Sequence, residues 1–227
     1  MFYSKVLSKF QNLKHCFYSR NNGFSKGIYK SLNCGLGSKD IKDDVIKNLS
    51  FIAKDSGVDL NDLKLMHQTH GNNVIIVNET NKDSQNFKSD SLITQMKNVA
   101  IGVLTADCVP IILYDDSNKT IACIHAGWRG AFTGIIEKTL NEFSKFDKDS
   151  NIYAVIGPCI GKKNYEIGND FYLNFINKSK VNKIYFTKIN GKLYFNLRKY
   201  VENKLFSNGV IKIDNIIKDT FEDSSNF

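Results

Sequence analysis

Three of the chain's four histidines fall in two short segments, His67-Gln68-Thr69-His70-Gly71 and His125-Ala126-Gly127-Trp128-Arg129-Gly130. Between them lies Thr105-Ala106-Asp107-Cys108-Val109-Pro110. Imidazole and thiolate together suit zinc, and a site with only three protein ligands keeps one position open for water or substrate. His70, Cys108 and His125 are the candidate ligands. His70 stands at a strand-to-turn corner before Gly71, where a side chain can point into a cleft. Cys108 reads as part of an apolar strand, where a thiolate is costly without a cation beside it. His125 ends a strand and is followed by Gly127 and Gly130, which let the backbone turn sharply near a ligand. Zinc in such a site lowers the pKa of its bound water toward about 7 and makes hydroxide available. Plainer readings stand beside these: a buried cysteine is commonly a small hydrophobe, and a strand-end histidine is commonly a hydrogen-bonded core residue. His67 is an alternative to His70, or a partner that orients it. Cys123 shares a strand face with His125 by alternation and is either a fourth ligand or packing.

The elements that must position these residues are legible from periodicity and punctuation. Apolar Val45, Leu49, Ile52 and Ala53 recur at helical spacing between about Asp40 and Ser56, with Gly57 as the stop. Residues 13–21, 63–66 and 74–77 read as strands, and the polar stretch 78–91 as a surface loop. Val99–Tyr114 is strand material broken at Pro110, and Thr120–His125 is the next strand after a turn at 115–118. A helix starts after Gly130 and buries Ile135, Ile136, Leu140 and Phe143. Ile152–Ile156 forms a strand that ends at the turn Gly157–Gly161. A helix over 169–177 leads to a hairpin turning at Asn190-Gly191, a helix over 197–206 and a strand over 210–217. Strands and helices mix without a regular βαβ repeat, so the class is α+β.

Composition narrows the setting. A chain of 227 residues with 42 % hydrophobic and 24 % charged residues fits one globular domain spanning 1–227. No apolar run approaches the roughly 20 residues that cross a bilayer, and the first ten residues make a poor secretion signal. Five scattered cysteines without a CxxC pair argue against a disulfide framework and for a reducing cytoplasm. The net charge of +8 comes from dispersed lysines and not from a basic stripe, so neither nucleic acid nor membrane is the expected partner.

His67–Gly71, Ala106–Ile111, His125–Gly130, Ile156–Gly161 and Tyr165-Glu166-Ile167-Gly168, in that order, resemble the motifs of the YfiH family. That family is also called the laccase-domain or polyphenol-oxidase family, and the bacterial purine nucleoside phosphorylase family. Phe17-Tyr18-Ser19-Arg20 and the following glycine- and serine-rich stretch to Asn33 fit as well. The sequence departs from the pattern at Leu49, at Asp219 and in ending at Phe227, where the family continues into a segment with further arginines. The resemblance implies a layered α/β/β/α domain with mixed sheets and zinc on His70, Cys108 and His125. It implies phosphorolysis of inosine, guanosine, adenosine and methylthioadenosine, and deamination of adenosine; a monomer or homodimer is expected, a choice the sequence does not make.

Within that reading Arg129 is the candidate phosphate clamp, since a guanidinium fork matches phosphate oxygens, with Arg20 behind it. Asp107 and Glu166 are candidates for proton transfer, and Trp128 either stacks on a base or packs. The Gly157–Gly161 turn either offers amides to an anion or simply ends a strand, and nothing adjacent to Cys159 supplies the base a nucleophilic thiol needs. Four histidines are too few for a multi-copper cluster, although copper(II) outranks zinc in intrinsic affinity and competes for the same ligands. The zinc-deaminase patterns H-x-E and P-C-x-x-C are absent. A copper-dependent phenol oxidoreductase, a hydrolase editing peptidoglycan precursors and a zinc-bound module without catalysis are the competing functions.

Overall fold

The computed structural model describes residues 1–146 and 151–227. Its centre is a six-stranded mixed sheet built from β2 (Val74–Val77), β3 (Ser91–Thr94), β5 (Val109–Asp115), β6 (Thr120–Ala126), β7 (Ile152–Ile156) and β11 (Lys212–Asn215). The spatial order is β11-β7-β5-β6-β3-β2, with antiparallel pairing in the middle and a parallel strand at each edge. β5 and β6 are buried along nearly their whole length. Continuous apolar runs such as Val-Pro-Ile-Ile-Leu suit strands covered on both faces.

One face is covered by α2 (Trp128–Thr133), α3 (Ile135–Phe143) and α5 (Leu197–Ser207), which bury Ile135, Ile136, Leu140, Tyr200, Val201 and Leu205 against Ile111, Leu113 and Ile124. On the other face Met66, Leu92 and Cys123 pack with Ile101 and Val103. Beyond them lie the parallel pair β1 (Leu63–Leu65) and β4 (Ala100–Gly102), and then α1 (Lys42–Ser56), whose Val45, Leu49 and Ala53 pack on Leu63. The succession helix, sheet, small sheet, helix is the expected layered α/β/β/α arrangement. A three-stranded sheet of β8 (Glu166–Ile167), β10 (Lys192–Phe195) and β9 (Phe186–Ile189) flanks α4 (Asn169–Lys178). Among the described residues no helix is long and apolar enough to cross a membrane, and all five cysteines are free thiols.

Most expected elements appear within a residue or two. α1 ends at Gly57, whose φ of 79° is the left-handed conformation that lets its N–H reach back to Ala53 and Lys54. The hairpin turns on Asn190 and Gly191, both at positive φ. Three expectations are corrected. Residues 13–21 form no strand beyond an isolated bridge between Phe17 and Phe2. The break in 99–114 falls at 103–108, and Pro110 is the second residue of β5, paired with His125. Gly130 lies inside α2, so the helical segment begins two residues before it.

Candidate metal centre

Strand pairing gathers the candidate ligands at one end of the sheet. β5 begins at Val109 opposite Ala126 of antiparallel β6, so Cys108, one residue ahead of β5, meets the end of β6 that carries His125. β3 pairs Ser91 with Ile124, which sets Asp90 across from His125, and the His125 N–H donates to the Asp90 carbonyl at 2.8 Å. β2 runs parallel to β3 from Val74, and the turn leading into it holds His70. Cys108 therefore stands in a bend at the mouth of β5 and not inside an apolar strand as its neighbours imply.

The metal-binding atoms of His70, Cys108 and His125 all lie within 4.8 Å of one another. Ligand atoms around tetrahedral zinc stand about 3.3–3.8 Å apart, from bond lengths near 2.0–2.3 Å. His125 is 2 % exposed, Cys108 half-buried and His70 exposed, so His70 is the candidate ligand with room to adjust. Gly127 forms the floor: a Cβ there would stand 3.0 Å from the Cys108 Sγ and 3.2 Å from the His70 Cδ2. His67 is exposed and outside this group, and Cys123 turns its Sγ to the Ile101 carbonyl at 3.2 Å in the core beneath. Burial pushes the Cys123 thiol up to about 12. The donor set is two imidazoles and one sulfur, the chemistry zinc accepts.

Asp90 holds this arrangement together, and its sequence context hides it in a polar stretch that reads as surface loop. The side chain is fully buried and accepts from the Thr69 N–H and hydroxyl, the His70 N–H at 2.9 Å, the Gly71 N–H at 2.8 Å and His125 Nδ1 at 2.8 Å. Burial alone would raise its pKa, but the bonds from His125, Gly71 and Thr69 outweigh it and hold the carboxyl below the usual range. An ionised Asp90 makes Nδ1 of His125 the donor and leaves Nε2 as the metal-facing nitrogen. The same contacts fix His70 at φ 55°, an uncommon left-handed conformation for a histidine. The signal that could have found Asp90 is its place immediately before the strand-forming Ser91-Leu92-Ile93-Thr94.

Gln68 is the second residue missed. Its amide donates to the Leu104 carbonyl at 2.7 Å and accepts from the Leu104 N–H at 2.9 Å, clipping the His70 turn to the Cys108 bend. Burial of His125 lowers its pKa, with the Asp90 bond opposing. Burial also pushes the Cys108 thiol up to about 11, with Asp107 and Asp90 adding to the effect, so a thiolate there calls for a cation.

The other candidates fare unequally. Arg129 sits on the first turn of α2, exposed, and among the described residues its guanidinium has no carboxylate partner. Arg20 is instead spent on structure, its Nε bonding the Lys30 carbonyl and its Nη1 the Phe227 carbonyl. Asp107, beside Cys108, is exposed and accepts from the Thr220 hydroxyl at 2.8 Å. Glu166 is exposed and paired with Lys192 at 2.8 Å. Three amides of the Gly157–Gly161 turn are consumed: Gly157 bonds Pro110, Cys159 bonds Lys218 and Ile160 bonds Asp107. That turn ends a strand and docks on the Cys108 bend. Cys159 is fully buried, and burial pushes its thiol up to about 11.

The family model described as multi-copper polyphenol oxidoreductase laccase matches residues 14–227. A purine nucleoside phosphorylase of Rickettsia conorii is 30 % identical over 222 residues, covering 96 % of this chain and 84 % of that protein. One of Corynebacterium glutamicum is 31 % identical over 217 residues, covering 95 % and 87 %. The crystal structure of a Bacillus licheniformis protein titled hypothetical protein YfiH superposes with a TM-score of 0.83 at 27 % identity, covering 92 % of this chain and 83 % of that one.

Proposed function

The chain belongs to the multi-copper polyphenol oxidoreductase laccase family, and we propose that within it this protein is a zinc-dependent purine nucleoside phosphorylase. The observation that carries the reading is the convergence of His70, Cys108 and His125 on one point, with Arg129, which has no carboxylate partner among the described residues, four residues past His125. Relatives covering nearly the whole chain bear the phosphorylase name.

Phosphorolysis of inosine breaks the bond between sugar C1′ and base nitrogen and forms a bond from C1′ to a phosphate oxygen. The products are hypoxanthine and ribose 1-phosphate, and the departing base nitrogen takes up a proton. Arg129 is the group that grips phosphate, since among the described residues its fork has no carboxylate partner. Asp107 is the group placed for proton transfer, its carboxylate steadied by Thr220. Glu166, engaged by Lys192, receives no step. Zinc held by the three ligands would supply a Lewis acid toward phosphate or sugar oxygens, or hydroxide for hydrolytic deamination of adenosine. Guanosine, adenosine and methylthioadenosine are expected substrates of the same site.

The test is a nucleoside panel, with and without phosphate, on protein of measured metal content. Equal amounts of hypoxanthine and ribose 1-phosphate from inosine, formed only with phosphate and reduced at least tenfold by R129A, are expected. Base release at the same rate without phosphate, or none at all, would overturn the reading. The family description favours a second reading, a copper-dependent phenol oxidoreductase. Among the described residues only this one trio comes together as a metal cluster, too few imidazoles for several coppers. Phenol oxidation by the protein without added copper would revive that reading.

A further inference from the structure

Trp128 is the chain's only tryptophan. It follows Gly127, the floor of the candidate metal centre, and is 37 % exposed, while Phe171 behind it is half-buried. Its ring leans on Phe171 of α4 with 5.0 Å between centroids. Phe171 in turn stacks on fully buried Phe175 at 4.8 Å with 18° between the planes, and Tyr165 lies 6.3 Å from it. The Tyr165 N–H donates to the Gly161 carbonyl at 3.2 Å, and Ile160 of the same turn donates to the Asp107 carbonyl at 3.0 Å. An aromatic wall thus runs from Gly127 to the turn that docks on the Cys108 bend.

One feature separates this tryptophan from a packing anchor. Its backing is rigid: Phe171 is held by Phe175, Phe186 and Phe195, so the indole is propped from behind while part of its surface faces solvent. A propped, half-open indole is what a flat heteroaromatic ring stacks on, since every base presents a π-face.

We propose that Trp128, backed by Phe171, is the platform on which the substrate's base stacks, and that it favours bicyclic purines over monocyclic pyrimidines through the larger stacked area. The proposal rests on the nucleoside reading of the site and adds the residue that selects the base. Arg129 next along the helix would then hold the phosphate end of the same ligand pair.

Because the protein has a single tryptophan, its emission reports on this residue alone. Wild-type protein is titrated with hypoxanthine, inosine, uridine and ribose 1-phosphate while tryptophan emission is followed, and inosine turnover is measured on the same sample. Saturable quenching by hypoxanthine and inosine, and little by uridine or ribose 1-phosphate, is expected. Quenching that grows linearly without saturating, or that is equal for uridine, would overturn the proposal. Turnover without saturable quenching sinks the platform but leaves phosphorolysis standing; saturable quenching by hypoxanthine without turnover supports the platform and sinks phosphorolysis. W128A is expected to raise KM for inosine roughly ten- to hundredfold, with W128F between it and wild type, and kcat changed less than KM. A loss confined to kcat would contradict a role in base binding.

Discussion

Asp90 does at residue scale what a metal would otherwise have to do alone: it aims one imidazole and pins the backbone that carries the other. Five donors converge on its two oxygens. D90N keeps the size but turns one acceptor into a donor, so His125 loses its orienting partner. Zinc affinity is expected to fall about 10- to 100-fold, as for other partners of metal-bound histidines, and nitrogen NMR of His125 should show mixed tautomers in place of Nδ1–H. Unchanged affinity with an unchanged tautomer would remove Asp90 from the account. The same pair sets the acid stability of the apoprotein. His125 lies below the usual imidazole range and Asp90 below the usual carboxylate range, so over both ranges the unfolded chain binds more protons than the folded one. Stability then rises with pH; His15, lowered by burial, acts in the same sense. Denaturant midpoints of the apoprotein should be level between about pH 6.5 and 8 and fall as pH drops through the imidazole and then the carboxylate range. A midpoint that climbs on acidification would contradict this.

At the scale of elements, the loop from Gly23 to Asn33 is attached to α1 by one buried side chain. Asn48 accepts from the Phe24 N–H at 2.7 Å and donates to the Ser25 hydroxyl and the carbonyls of Ser31 and Asn33. N48A would leave several of these groups buried without partners, and about 2–4 kcal/mol of stability should be lost, measured by chemical denaturation; a loss under 0.5 kcal/mol would show that water replaces the amide. Leu49 is buried against Leu63 and the rest of that cluster, so this position serves the core. Elements like α1, β7, the 186–195 hairpin and α5 were legible because periodicity and a stop signal coincide in each. The strand expected at 13–21 was not, since its residues pair with Phe2 alone and otherwise pack as irregular chain. Pro110 misleads for a related reason: local punctuation says break, while Ile111, Leu113 and their neighbours bury the strand regardless.

On the scale of the whole molecule, three segments separated by tens of residues reach one point because β5, β6 and β3 are adjacent and antiparallel. Residue type and motif order singled out the three residues that the fold brings together; Asp90 and Gln68 were not legible, because their roles exist only once that sheet order is known. The C-terminal segment closes the layers from outside, with Asn226 and Phe227 bound by Arg20 and the Phe227 ring stacked on Phe2 at 5.7 Å. The most direct test of the account is zinc-edge X-ray absorption on the purified, zinc-loaded protein. One sulfur at about 2.3 Å, two imidazole nitrogens and one lighter non-protein atom per zinc are predicted, with the sulfur lost in C108S; a zinc shell without sulfur, or one unchanged in C108S, would contradict it.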